Sequence, residues 1–352
     1  MASENPKFAG GWYRVLKLYA QALLVGIVAG LGAVFFRGLI GLVHNLSFLG
    51  KFSVYYDANV HTSASPFGPL VVLAPCLTAV IVVYLVKNYA PEAKGHGVPE
   101  VMEAIHYNRG IIRPIVAVIK SVASALSIGS GGSAGREGPM IQVGASFGST
   151  LGQWLAMPAW QRITLVAGGA GGGIAASFNT PIGGILFAIE IVLHELSVRT
   201  LVPVAISTVS ATYISRLCFG ARPSFVIPKL EIPGFGVNAP EILLSYAVLG
   251  IIMGGATTLF IKSLYGFEAV IEKHVKSYYV RHVGTMFLIG AAFYAMLLLF
   301  GHYYIEGVGY ATVQDVLTES LTAPLFLLLL FLLKLAATSM TLGSGASGGV
   351  FS

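Results

Sequence analysis

Apolar residues run through this chain in long unbroken stretches, with polar residues gathered in the connections between them. Five stretches carry no Asp, Glu, Lys or Arg: Leu18–Phe36, Pro66–Val86, Ile163–Ile189, Ile242–Ile261 and Val283–Gly301. Each reaches the ~20 residues that a helix needs to cross the hydrocarbon of a bilayer. A soluble core accounts for one such run but not for five. The pattern predicts an all-α integral membrane protein that crosses the lipid bilayer several times.

Composition agrees, with 55% hydrophobic and 10% charged residues, against roughly 25% charged in a soluble domain. A net charge of +6 raises the question of nucleic acid. The basic residues form no single stripe, however, and collect between apolar segments as the positive-inside bias expects. Nucleic-acid binding is therefore excluded. Cys76 and Cys218 lie in apolar surroundings at no metal-ligand spacing and read as small buried side chains. No cleavable signal is expected, since Met1–Lys17 is charged and lacks an apolar run ending in small residues.

Glycine changes the picture further. There are 43 in 352 residues, about 12% against a usual ~7%, with clusters at Gly129–Gly138, Gly168–Gly173 and Gly343–Gly349. Aligning the clusters shows that the chain repeats itself. Lys120–Gly135 matches Lys334–Gly349 without a gap, at an offset of 343 − 129 = 214. Gly95–Ile105 matches Gly307–Leu317 at 307 − 95 = 212. Two alignments in order, at nearly one offset, establish a duplication.

Basic residues orient the halves. Lys7, Arg14 and Lys17 precede the first span, and the following loop has only Lys51. In the second half, Ile242–Ile261 is followed by Lys262, Lys273, Lys276 and Arg281, and the next loop, His302–Gly309, has neither Lys nor Arg. The first span therefore runs outward and its counterpart inward. The fold expected is two inverted-topology repeats of tilted and broken helices, over 1–225 and 226–352. The offset carries Pro139–Leu196 past Ser352, so the second repeat is incomplete and the functional polypeptide is expected to continue.

Glycine and proline at membrane depth leave backbone groups unpaired, which is tolerable only inside protein or beside a water-filled cavity. Here the breaks precede helical runs: Gly95–Pro99 leads into Glu100–Tyr107, and Gly135–Pro139 into Met140–Leu155. Pro99 and Pro139 suit a first helical turn. Helix starts expose free N–H groups and a partial positive charge, so several converging would bind an anion. The competing use of glycine is close helix packing. A dinucleotide site at Gly168–Gly173 is excluded, because no strand precedes it. Glu137, a carboxylate beside a glycine break, is either functional or an interfacial partner of Arg136.

These residues resemble the CLC family of chloride channels and proton-coupled chloride exchangers. The resemblance rests on Gly95-His-Gly-Val-Pro-Glu100, Gly135-Arg-Glu-Gly-Pro139, Gly348-Gly-Val-Phe351 and the segment Phe178–Glu190. It implies that Glu137 is a gating glutamate whose carboxylate competes with chloride. It also implies anion contacts at Arg136, Glu137 and Gly138, at Val350 and Phe351, and at the inner loop through His96, Gly97 and Val98. Chloride is the implied ligand, with no cofactor or metal, and a homodimer is the implied assembly.

Three departures bear on the transfer. His96 stands where the best-known members place serine, and it either donates to the anion or packs away from it. Ile191 stands where exchangers place an internal glutamate. Glu190 matches the family but need not face a proton path, and Glu195, one helical turn beyond Ile191, is the candidate substitute. The pore-lining tyrosine of the family cannot be assigned before Ser352. Sequence thus favours passive chloride movement slightly over proton-coupled exchange of chloride, another halide or nitrate. A cation-coupled solute transporter is the more distant rival, and no catalytic pair suggests an enzyme.

Overall fold

The computed structural model describes residues 9–194, 197–221, 224, 225, 227 and 240–351. Helices occupy most of them: α1 (Ala9–His44), α2 (Ala74–Tyr89), α3 (Val98–His106), α4 (Ile115–Gly129), α5 (Glu137–Trp154) and α6 (Ala159–Phe178). There follow α7 (Pro181–Leu186), α8 (Val198–Phe219), α9 (Pro240–His274), α10 (Tyr278–Phe300), α11 (Tyr310–Leu317) and α12 (Pro324–Gly343). Among the described residues, 6 helical segments are long and apolar enough to span a membrane. Helix α1, with 36 residues, is about 54 Å long against ~30 Å of hydrocarbon, a mismatch that tilting relieves.

Two features differ from the expectation. Ile163–Ile189 is not one span: α6 stops at Phe178, and Asn179 turns the chain with φ 60°. The Thr180 hydroxyl then accepts the Gly183 N–H, and Pro181 opens α7. Asn tolerates the left-handed region and Pro fits a first turn, so this break is local chemistry inside an apolar run. Conversely, α8 and α12 are long enough to cross although Arg199, Arg216 and Lys334 interrupt their apolar runs.

The two uses of glycine separate in space. Those of α6 serve packing: a Cβ on Gly169 would collide with the Gly144 carbonyl of α5, and one on Gly144 with that of Gly169. Gly148 and Gly173 press equally hard on the backbones at Leu165 and Met140. Backbones this close are how small residues hold helices together where lipid removes the hydrophobic drive between them.

The glycines of the breaks instead join the halves. Gly135 N–H donates to the Gly349 carbonyl at 2.8 Å, and Gly349 N–H returns a bond to Gly135 at 2.7 Å. These positions are equivalent under the 214 offset, so a residue pairs with its own counterpart, as on a local two-fold axis. Side chains obey the same relation. Ser124 meets Ser347 at 2.8 Å, and their equivalents Thr338 and Ser133 meet at 3.1 Å. Lys120 donates to the Gly95 carbonyl at 2.7 Å and Lys334 to that of Gly307 at 2.7 Å. Gly97 (φ 88°) and Gly309 (φ 81°) cap α3 and α11 in the same left-handed conformation. The duplication seen in sequence is thus an inverted structural repeat. Its expected boundary at 225 and 226 abuts residues outside the described set.

Replacing Gly169 by Leu is expected to lower the unfolding temperature in detergent, since overpacking costs about 1–3 kcal/mol or more. Gly254→Leu, on α9 with open space around it, is expected to leave that temperature unchanged. A thermal unfolding scan of both variants checks the contrast.

Candidate functional site

Three backbone breaks meet at one place. Gly97 lies so close to α5 that a Cβ there would sit 3.0 Å from Gln142 Oε1 and 3.1 Å from the Gly138 carbonyl. A Cβ on Gly138 would collide with the His96 carbonyl and come within 3.0 Å of Gly349 Cα. The segments His96–Val98, Arg136–Gly138 and Gly349–Phe351 therefore crowd together, with the N-termini of α3 and α5 opening among them. The N–H groups at the start of α5 and the two helix dipoles make such a spot favourable to negative charge, and the Glu100 carboxylate already takes the Gly97 and Glu100 N–H groups of α3.

Glu137 is the first residue of α5 and has no exposed surface. The Tyr310 hydroxyl donates to its Oε1. Arg136 Nε lies 3.8 Å from the same oxygen, and the guanidinium sits 4.9 Å above the Tyr310 ring. The pairing with Arg136 therefore exists, with the Glu137 carboxylate fully buried. Tyr310 is the neighbour of Glu137 that sequence reasoning missed. The repeat does mark it as a helix start, equivalent to Val98, yet its contact with Glu137 spans 173 residues.

The other expected residues are placed as follows. His96 is half-buried with Nδ1 lacking a hydrogen-bond partner, and Lys120 and Glu268 are its charged neighbours. Val350 packs against the core, and exposed Phe351 meets the Phe187 ring edge-on at 6.3 Å. Glu190 and Ile191 are both exposed on the π-helical turn Phe187–Leu193. Glu195 lies outside the described residues. Cys76 is half-buried and Cys218 exposed, so only the first approaches the buried environment expected of it.

A cavity of about 660 Å³ reaches Arg136 between Arg37, Tyr56, Asp57, Asn179, Phe219 and Gln314. The Arg37 guanidinium lies 4.2 Å above the Phe219 ring. Two arginines against the single Asp57 carboxylate leave this cleft net positive, which raises the local concentration of anions. By the basic-residue bias this mouth, at the C-terminal end of α1, faces outward.

The family model for voltage-gated chloride channels matches residues 78–352. The chain belongs to this family, the CLC proteins. Similar proteins include the H(+)/Cl(-) exchange transporter ClcA of Yersinia pseudotuberculosis, 30% identical over 346 residues, with 96% of this chain and 68% of the relative covered. ClcA of Vibrio parahaemolyticus is 30% identical over 338 residues, covering 94% and 68%. Among solved structures, a CLC-type fluoride/proton antiporter has a TM-score of 0.77 at 23% identity, covering 96% of this chain and 78% of its own. A slow cyanobacterial Cl-/H+ antiporter has a TM-score of 0.76 at 24% identity, covering 95% and 75%. The likeness establishes the CLC fold, in an integral multi-pass membrane protein.

In this CLC site Gly138→Ala would force a methyl group against His96 and Gly349. Anion flux through the reconstituted variant is expected to fall about tenfold or more, as misplacement by an ångström does at reacting centres. Efflux from liposomes, with gel filtration as the check on folding, measures this.

Proposed function

We propose that this CLC protein exchanges chloride for protons across its membrane, with the Glu137 carboxylate as the gate. The observation that carries this is a fully buried carboxylate at the start of α5, where three backbone breaks meet. An ionised Glu137 occupies the place where N–H groups favour an anion. A protonated one has no charge to hold it there, and chloride takes the position. The amides at Gly97 and Val98, at Arg136, Glu137 and Gly138, and at Val350 and Phe351 are the proposed anion donors, with His96 at the inner end. Neutral dipoles bind an ion without trapping it, the compromise that conduction needs.

Exchange is preferred to passive conduction because the 30% identical relatives are named H(+)/Cl(-) exchange transporters. Passive conduction is the second reading, favoured by Ile191, which carries no proton. An exchanger therefore needs another inner proton carrier. His96, Glu100 and Lys120 offer one: Lys120 interacts electrostatically with both His96 and Glu100 beside the inner loop, and Glu100 Oε2 is buried without a hydrogen-bond partner. The proposed assembly is a homodimer.

In liposomes the protein is expected to pass chloride and not potassium, and a chloride gradient is expected to drive protons uphill. Glu137→Gln is expected to abolish proton movement and keep chloride flux. Chloride flux without proton movement in the parent would leave passive conduction, and potassium flux without chloride flux would sink both readings.

A further inference from the structure

Glu306 lies in the loop between α10 and α11, on the same outer side as the arginine-lined mouth but outside it. Its side chain is 12% exposed. The Thr62 hydroxyl donates to Glu306 Oε1, and His44 Nε2 meets Thr62 Oγ1 at 2.9 Å. Thr62 has one hydrogen, so His44 must supply the second from Nε2–H. That leaves Glu306 Oε2 and His44 Nδ1, both buried and both without a hydrogen-bond partner. A carboxylate oxygen left bare in this setting is costly unless it takes up a proton.

Polar groups lead from Glu306 in two directions. Toward the surface, exposed His302 stacks on His61 at 4.3 Å, and His61 Nε2 pairs with Asp315 Oδ2 at 2.7 Å. Inward, Glu306 shares a cavity of about 20 Å³ with Tyr56, His61, Thr62 and Tyr310, polar and large enough for one water. Tyr310 is the donor to Glu137. Lys334, tied to the Gly307 carbonyl at 2.7 Å, interacts electrostatically with both Glu306 and Glu137. Tyr303 and Tyr304 complete the titratable surroundings.

We propose that Glu306 is a proton-binding site that loads Glu137 from the outer solution, by a side route separate from the anion mouth at Arg37 and Arg136. The proposal rests on Glu137 being the gate. A proton entering past His61 and Asp315 binds at Glu306. On release it passes to water in the cavity, the water gives one to the Tyr310 hydroxyl, and Tyr310 gives its own to Glu137. One proton moves, Glu306 becomes ionised, Glu137 becomes neutral, and water and tyrosine are restored. Burial pushes the Glu306 carboxyl up to about 8, opposed by the Thr62 hydrogen bond and by Lys334, which suits exchange of protons near neutral pH. Separating the routes spares protons from crossing a cleft in which two arginines outnumber the one aspartate.

The test is the rate at which chloride flux from liposomes responds to a sudden acid step on either face. Glu306→Gln keeps the shape and loses the proton. It is expected to slow the response to outer acid by about tenfold or more and to leave the response to inner acid unchanged. An unchanged outer response, or equal slowing from both faces as a structural lesion would give, overturns the proposal. Should Glu306→Gln fail to assemble, Thr62→Val is expected to show the same one-sided slowing and Thr62→Ser to relieve it; equal behaviour of the two overturns the proposal. In parallel, Glu137→Gln is expected to erase the response from both faces. A response surviving there refutes the gate, whereas its erasure with Glu306→Gln silent refutes only the side route.

Discussion

Everything in this structure follows from the cost of an unpaired backbone group where no water can reach it. A helix that stops inside a bilayer exposes N–H and C=O groups worth several kcal/mol each. The chain stops helices at depth repeatedly, and the halves cover each other's ends. The reciprocal bonds between Gly135 and Gly349 satisfy two donors and two acceptors at once. Gly95 is served in the same way, its N–H bound to Ala346 and its carbonyl taking Gly348. At the start of α3 the Glu100 carboxylate takes backbone N–H groups of Gly97 and Glu100, whereas an anion is the natural partner for the N–H groups at the start of α5.

Close approach is the second consequence. Breaks can meet only if the supporting helices pack without side chains between them, and the α5–α6 contact through Gly144 and Gly169 does this. Two lysines, one buried and one half-buried, do related work. Lys120 and Lys334 each hold a glycine carbonyl beside a left-handed turn, so the loops preceding α3 and α11 keep the same shape. On the inner side Lys94 reaches Glu268 at 2.9 Å and Glu272 at 3.2 Å, and Arg281 joins Glu272 at 3.0 Å. Such partly exposed pairs add little stability individually, but they bridge the first half to the second at the level of the His96 loop.

The same geometry separates charges that would otherwise interfere. Arg136 and Arg37 present positive charge to the outer cleft, while Glu306, Thr62 and His44 lie behind Tyr56, which borders both spaces. Glu137 touches both worlds, through Arg136 on one side and Tyr310 on the other. In the proposed exchange this carboxylate is where anion and proton meet.

Sequence by itself determined the membrane environment, the duplication, its inversion and the glycine-proline breaks before α3 and α5. These are written in local patterns: apolar runs, glycine strings at a constant offset, basic residues flanking spans, and prolines suited to first turns. It also singled out Glu137, because a carboxylate beside a glycine break is rare at depth. It could not tell packing glycines from break glycines, since both are the same residue and differ only in what lies opposite. Nor could it show that Ile163–Ile189 is cut at Asn179, because the cut lies inside an apolar run. Only the tertiary structure decided that Tyr310 donates to Glu137, that Thr62 and His44 hold Glu306, and that Ser124 meets Ser347. Each of those pairs lies more than 170 residues apart except His44 and Thr62, which are 18 apart. No periodicity encodes a contact between side chains brought together by a two-fold relation between halves, so these contacts became visible only once the halves were docked.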